Sequence, residues 1–225
     1  MGSVKDLQIL KAPKEDEMGR GRFVFSDRYS VFDWGEMPDK IPHKGEALCL
    51  MGAYCFERVE EDDGISTHYR GVIREDGKLC RTDELERPTN IMEVDLVRVM
   101  YPEFRNGAYD YSPFTSELTN FLIPLEIIYR NGLPTCSSVF KRLERGEITY
   151  QELGLDHYPV PGERLERPIL DVSTKLEERD RYISWEEAKR IAGLRDDEVK
   201  ELKDILIRID ERITEIANRT GLVNE

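Results

Sequence analysis

The sequence predicts an α+β protein, and three observations support this. Strand-like alternation with β-branched residues dominates the first half of the chain, whereas helix-like periodicity dominates the last third. One strongly apolar strand, residues 122–130 (LIPLEIIYR), lies between them. Because strands and helices do not alternate, a doubly wound nucleotide-binding sheet is disfavoured. The sequence also has neither a G-x-G-x-x-G motif nor a Walker lysine motif.

The first half is predicted to contain short strands joined by turns rich in glycine and proline. Strand patterns occupy residues 4–10, 22–25, 66–74, 78–81 and 91–100. Apolar residues recur on one helical face over residues 46–61, and Gly64 supplies a helix-ending signal. Asp76-Gly77 is typical of a hairpin turn, and residues 28–45 are predicted to be a loop.

The second half is predicted to begin with a long loop and to end in helices. The expected segments are a loop over residues 101–121, a buried strand over 122–130, a short helix over 139–145 and a proline-broken connection over 154–167. Ser184-Trp185-Glu186-Glu187 matches a capping box and predicts a helix that ends near Gly193. A long helix with one apolar stripe is predicted for residues 197–219, with Gly221 just beyond it.

Composition argues against several kinds of partner. The net charge of −13 disfavours nucleic acid or an anionic membrane as main partner, because both are bound through basic surfaces. No stretch approaches about 18 consecutive apolar residues, so no membrane-spanning helix is predicted. The N-terminal residues lack a signal-peptide pattern, so a cytoplasmic protein is expected. The four cysteines form no C-x-x-C pair and are expected to be buried, reduced thiols.

The most informative polar residues lie on the apolar strand and after it. Glu126 and Arg130 are four residues apart, so they share one strand face, where charges are costly unless they find a partner or ligand. Ser137 and Ser138 follow, and their hydroxyls could bind phosphate oxygens. Lys175 and several carboxylates precede the capping box. This segment is either a solvated surface or a catalytic cluster.

Weaker candidates lie near the N-terminus. Ser3 and Lys5 lie in a segment that combines a flexible backbone with a lysine at a strand start. Such a segment could bind a polyphosphate, but it is also typical of a solvated terminus. Asp27 and Asp33 border an aromatic loop, and Lys44 precedes a helix start, where backbone amides can hold an anion. Surface loops without a function often have the same composition.

Taken in order, these pieces resemble the SAICAR synthetase (phosphoribosylaminoimidazole-succinocarboxamide synthase) family. Residues 2–7 are similar to its opening segment over the ATP phosphates, and residues 25–33 (FSDRYSVFD) to its F-x-D-x-x-S-A/V-x-D loop. Lys44-Gly45 and residues 64–68 (GISTH) match its K-G pair and its G-I-x-T-H turn. Residues 123–131 (IPLEIIYRN) and 174–184 are similar to P-L-E-V-V-x-R-N and K-x-x-x-x-x-D-P-x-I-S. Their correct order over residues 2–184 makes the resemblance strong.

The resemblance implies a fold and a reaction. The expected fold has two α+β lobes with ATP between them: an antiparallel-sheet lobe (residues 1–95) for the ATP phosphates and a helix-rich lobe (residues 96–225) for the ribotide. The implied enzyme is an ATP-dependent ligase of purine biosynthesis that activates carboxyaminoimidazole ribotide (CAIR) as an acyl phosphate. The amine of L-aspartate then attacks, giving SAICAR, ADP and phosphate. Mg²⁺ and a homodimer are also implied.

The resemblance further implies roles for individual residues. Lys175 and Asp180 are expected at the reacting carboxylate, with Asp180 also binding the metal. The implied nucleotide contacts are Ser3, Lys5 and Glu126. The implied substrate contacts are Asp27, Ser30, Asp33, Lys44, Arg130, Ser137 and Ser138.

The sequence departs from the family pattern at several points. Cys136-Ser137 stands where the family has Gly-Ser, Asp180-Arg181 replaces Asp-Pro, and residues 101–121 are an insertion. The family's later D-x-K-x-E-F-G and D-E-x-S-P-D segments are expected beyond residue 221, so either an incomplete chain or a degenerate relative is anticipated. Two alternatives stay open: a noncatalytic nucleotide- or ribotide-binding relative, and an ATP-dependent kinase or ligase with another acceptor.

Overall fold

The computed structural model describes residues 4–31 and 34–225, and the chain divides into two compact units. The first unit comprises Met1–Met100 with Thr119–Leu122, and the second comprises Tyr101–Leu118 with Ile123–Glu225. Antiparallel sheets and helices occur together in the chain, which confirms the predicted α+β class. The expected lobe functions, ATP phosphates in one and ribotide in the other, stay predictions.

The first unit is built around an antiparallel sheet and one long helix. Its elements are β1 (Lys5–Lys11), β2 (Gly19–Phe25), β3 (Ser30–Val31), β4 (Gly35–Glu36), α1 (Lys44–Asp63), β5 (Tyr69–Ile73), β6 (Leu79–Cys80) and β7 (Ile91–Leu96). The main sheet has the strand order β1-β2-β7-β5-β6, whereas β3 and β4 pair only with each other among the described residues.

Helix α1 covers one face of the main sheet. Cys49 and Ala53 of the helix pack against Met92 and Val94 of β7 and form the centre of the apolar core. The helix ends where Gly64 adopts a left-handed φ of 64° and returns its amide to the last turn. The predicted C-terminal glycine signal is therefore confirmed.

The second unit is built around a two-stranded ribbon. Its elements are β8 (Glu103–Arg105), β9 (Ala108–Asp110), β10 (Leu125–Leu133), α2 (Ser138–Glu144), β11 (Glu163–Thr174), α3 (Trp185–Ile191) and α4 (Asp196–Thr220). β10 and β11 pair antiparallel, with Ile128 opposite Asp171 and a register shift between Arg130 and Gly132. The start of α2 packs against one end of the ribbon, and α3 packs against the other.

Three predictions about the second unit are wrong. The apolar strand begins at Leu125 and is mostly half-buried, because β11 is its one pairing strand within residues 4–31 and 34–225. Residues 163–167 belong to strand β11 and not to a connection, and Pro168 fits within that strand because it lies where the register shifts. The insertion at residues 101–121 is not only loop: it contains the β8–β9 hairpin, whose Asn106 and Gly107 have the positive φ of a tight turn.

Within residues 4–31 and 34–225, no helix combines the length and the apolar character that a membrane crossing requires.

Candidate active site

Three of the predicted site residues meet at one end of the β10–β11 ribbon. The Lys175 ammonium lies 3.0 Å from an Asp180 carboxylate oxygen and 3.3 Å from a Glu126 carboxylate oxygen. The lysine follows β11 directly, and its backbone amide donates to the carbonyl of Pro124 at 2.9 Å. The hydrogen bond with Asp180, supported by Glu126, raises the pKa of Lys175. The cluster therefore places one ammonium between two carboxylates, and all three side chains are partly exposed.

A second cluster surrounds Arg130 on the same ribbon. An Arg130 Nη2–H donates to the phenol oxygen of Tyr182 at 2.8 Å and lies 3.5 Å from the hydroxyl of Ser138. The Ser138 hydroxyl forms a hydrogen bond of 2.9 Å with the same phenol oxygen. The structure thus brings together Arg130 and Ser138, as the sequence suggested, and adds Tyr182, which the sequence analysis did not single out.

A buried carboxylate holds the arginines of this cluster. Asp171 is 5% exposed and accepts from Arg142 Nη1 at 2.5 Å, while Arg130 Nε lies 3.5 Å from the same oxygen. The Arg142 guanidinium stacks 4.0 Å from the centre of the Tyr182 ring. Sequence reasoning missed both Asp171 and Arg142. The available signal for Asp171 was a lone aspartate within the apolar run of residues 169–172 (ILDV), since a buried charge needs a partner.

An open cleft of about 1070 Å³ lies within the second unit beside these residues. Its lining includes Ser138 and Asp180, two predicted site residues, as well as Arg142 and Tyr182. The volume is sufficient for a nucleotide-sized metabolite. Charged side chains of both signs surround the opening, so the cleft suits a polar ligand better than an apolar one.

Ser137 is the N-cap residue of helix α2. It is 7% exposed and caps helix α2 by accepting from the Val139 amide at 3.4 Å. The neighbouring Cys136 is exposed, and Cys55 is half-buried, so the prediction of uniformly buried thiols is wrong. All four cysteines are free, and burial raises the pKa of Cys49 to about 12.

In the first unit, the predicted substrate contacts contribute to the start of helix α1. The two carboxylate oxygens of Asp27 accept from the backbone amides of Gly45 at 2.9 Å and His43 at 3.3 Å. The Lys44 ammonium donates to the backbone carbonyl of Arg28 at 2.8 Å. A Cβ at position 45 would lie 2.8 Å from the carbonyl oxygen of Phe25, so only glycine fits.

Other predicted residues of the first unit are more dispersed. The Lys5 ammonium lies 3.9 Å from the centre of the Phe23 ring, and partial desolvation lowers the pKa of this lysine. Ser30 lies on the exposed strand β3. Ser3 and Asp33 lie outside the described residues. The roles of all four in binding stay predictions.

The metal prediction concerns Asp180. Among residues 4–31 and 34–225, no group of three or more histidine, cysteine, aspartate or glutamate side chains is arranged to share a metal ion. Asp180 and Glu126 instead share the Lys175 ammonium.

Comparisons with known proteins agree on one family. The sequence profile of SAICAR synthetase matches residues 2–223. A protein of Archaeoglobus fulgidus has the provisional name phosphoribosylaminoimidazole-succinocarboxamide synthase. It is 56% identical to this chain over 225 residues, which is all of this chain. The enzyme of that name from Thermoplasma acidophilum is 31% identical over 202 residues, or 90% of this chain.

The fold agrees with a solved structure. A SAICAR synthetase in complex with ADP superposes with a TM-score of 0.58 at 21% identity, covering 98% of this chain and 69% of that one. This chain spans 66% of the length of the Archaeoglobus relative and 59% of the Thermoplasma relative.

Proposed function

The chain belongs to the SAICAR synthetase family, and we propose that it catalyses the ATP-dependent joining of CAIR and L-aspartate in purine biosynthesis. The products are SAICAR, ADP and phosphate. The ADP complex of a solved relative supports the use of a nucleotide by this chain. The expected cytoplasmic location and homodimer are part of the same proposal.

One observation carries the proposal most directly. Glu126 comes from one motif, and Lys175 and Asp180 come from another. The carboxylates of Glu126 and Asp180 nevertheless both lie within 3.3 Å of the Lys175 ammonium. An ammonium held by two carboxylates stays protonated near neutral pH, as the raised pKa of Lys175 indicates. A positive charge at this position would stabilise the negative charge that develops during phosphoryl and acyl transfer.

In the proposed reaction, a carboxylate oxygen of CAIR attacks the γ-phosphorus of ATP, and the bond to ADP breaks. The amine of aspartate then attacks the acyl carbon, the bond to phosphate breaks, and the amine proton passes to a base. Lys175 stabilises the charge on the reacting carboxylate. Arg130 and Ser138, on the same unit, hold an anionic group of the ribotide. Positioning of this kind supplies much of the rate enhancement in such transfers.

Mg²⁺ fits this donor set in one way. Magnesium commonly binds through one or two carboxylates together with substrate phosphate oxygens. Asp180 and Glu126 both pair with Lys175, so the site offers one or two carboxylates as protein ligands. When bound, the ion neutralises charge on the transferred phosphoryl group. Lys5 and Ser3 are the proposed contacts to the ATP phosphates in the first unit.

A coupled assay of ADP release tests the proposal. Purified protein incubated with ATP, Mg²⁺ and CAIR should release ADP continuously only when L-aspartate is added. Binding of CAIR with no ADP release would favour a noncatalytic relative. ADP release with another acceptor, and none with CAIR, would favour a different ligase or kinase.

The role of Lys175 has its own test. We expect Lys175→Ala to lower kcat by about 100-fold or more, because a preorganised charge at the reacting group is lost. Lys189 is a matched control, since it is a lysine of the same unit that pairs with the carboxylate of Asp196 on the surface. Lys189→Ala should keep full activity. Full activity in Lys175→Ala would exclude the proposed role.

A further inference from the structure

We propose that Tyr182 is a third anion-binding residue of the site, acting together with Arg130 and Ser138. The inference rests on the proposed function for the identity of the substrate, but the anion site itself follows from the contacts of these side chains. Sequence reasoning assigned no role to Tyr182.

The hydrogen bonds around the phenol leave one hydroxyl proton available to a ligand. An arginine can only donate, so Arg130 Nη2 must donate to the phenol oxygen at 2.8 Å. The Ser138 hydroxyl lies 2.9 Å from this oxygen, within hydrogen-bond distance. Each hydroxyl has one proton, and one of the two hydroxyls donates to the other. The Tyr182–Ser138 pair therefore keeps one O–H that can donate to a ligand oxygen.

The charge balance of the cluster favours an anionic ligand. Two guanidiniums, those of Arg130 and Arg142, share the single carboxylate of Asp171. The Arg130 Nε–H is buried and has no hydrogen-bond acceptor of good geometry, although it lies 3.5 Å from Asp171. The cluster therefore carries one positive charge more than its carboxylate offsets. A phosphate or carboxylate bound beside the phenol would neutralise this positive charge.

The position of Tyr182 is fixed from both sides. Its backbone neighbours pair with β11, through Thr174 N–H to the Arg181 carbonyl at 2.9 Å and Ile183 N–H to the Val172 carbonyl at 3.1 Å. Its ring lies under the Arg142 guanidinium at 4.0 Å. A side chain held this way is preorganised, so little conformational entropy is lost when a ligand binds.

Tyr182 also lies on the cleft rather than inside the core. The residue is half-buried and lines the same opening as Ser138 and Asp180. Asp180 is two residues away in the chain, next to the Lys175 ammonium. The phenol therefore connects the loop that carries the predicted catalytic carboxylate with the predicted anion contacts. A phosphate of the ribotide is the ligand that this placement favours.

Tyr182→Phe tests the inference, since it keeps the ring under Arg142 and removes only the hydroxyl. Calorimetric titration with inorganic phosphate, and separately with CAIR, should show the dissociation constants raised about tenfold, as expected for one lost hydrogen bond to a charged group. In turnover, KM for CAIR should rise similarly while KM for ATP stays within about twofold.

Tyr158→Phe is the matched control, because Tyr158 is an exposed tyrosine of the same unit and does not line the cleft. It should leave both dissociation constants unchanged. Thermal unfolding of the two variants checks that each is folded.

The outcomes separate this inference from the proposed function. Equal phosphate affinity in wild type and Tyr182→Phe, or no phosphate binding by the wild type, would overturn the inference whatever the turnover assay shows. Phosphate binding that depends on Tyr182, in a protein that never releases ADP with CAIR, would support the inference and overturn the proposed function.

Discussion

The two units use their polar motif residues in different ways. In the first unit, the carboxylate of Asp27 and the ammonium of Lys44 satisfy backbone groups near the start of α1. In the second unit, Lys175 and Arg130 contact other side chains, and their partners Asp180 and Tyr182 line the cleft. Polar side chains that hydrogen-bond to backbone groups stabilise the fold. Polar side chains that hydrogen-bond to one another can also bind a ligand.

This difference follows from how each unit is built. The first unit has a sheet of several strands under a long helix, so its apolar core provides stability. The second unit rests on a two-stranded ribbon, which buries less apolar surface on each strand. One of its charged pairs, Arg142 with Asp171, is buried, whereas the Lys175 cluster lies on the surface. Substitutions in the two units should separate these contributions.

The largest expected effect is at Asp171 in the second unit. Asp171→Ala leaves the buried Arg142 guanidinium without its partner, and we expect a loss of about 3–5 kcal/mol in the free energy of unfolding. Urea denaturation followed by circular dichroism measures this loss. Replacing both members, Asp171→Leu with Arg142→Leu, should recover part of the stability because no unpaired charge stays buried.

The control for Asp171 is a surface pair of the same unit. Glu147→Ala removes the partner of Arg145 in an exposed ion pair at 3.6 Å. We expect a change within about 0.5 kcal/mol. If Asp171→Ala costs as little as this control, the buried pair does not stabilise the second unit as argued.

A smaller effect is expected at Asp27 in the first unit. Asp27→Ala removes the acceptor for two backbone amides at the start of α1, which should cost about 1 kcal/mol of unfolding free energy. Asp27→Asn should cost less, since its side-chain oxygen still accepts one amide. Asp39→Ala, in the same loop, should change stability little. A loss of CAIR affinity in Asp27→Asn without a loss of stability would instead support the predicted substrate contact.

Sequence reasoning selected several residues that the structure brings together, and their roles in a site stay predictions. Lys175, Asp180 and Glu126 could be predicted because their motifs match a family. The pairing of Asp171 with Arg142 and the position of Tyr182 could not, because they depend on contacts between α2, β11 and the following loop. No local spacing rule connects residues 29 positions apart in the chain.

The fold was predictable where local signals were strong. Helix α1 and its glycine end followed from periodicity and from Gly64. The start of β11 did not, because residues 163–168 (ERLERP) are mostly charged and include a proline that is tolerated only at the bulge. The Asn106-Gly107 turn was an available hairpin signal within a segment assigned to loop.

The smallest expected effects are those of pH on stability, and they differ in sign between the units. In the first unit, the ring of His68 packs edge-on against Phe56 at 5.0 Å, and partial desolvation, followed by the charge of Lys5, lowers its pKa. The unfolded chain then binds more protons than the folded chain below about pH 6.5. Relative to wild type, His68→Gln should therefore gain stability as pH falls from about 7.5 to about 5.5, measured by thermal unfolding.

His157 in the second unit should show the opposite trend. Its hydrogen bond with Asp156 and the charge of Glu163 raise its pKa above the unfolded value. Its stabilising contribution is then fully present below about pH 6.5 and is lost as pH rises through the folded pKa. His157→Gln should thus be less stable than wild type at about pH 5.5 and approach wild type at about pH 8.5. Parallel pH trends for the two histidine variants would contradict the contrast between a desolvated ring in one unit and an ion-paired ring in the other.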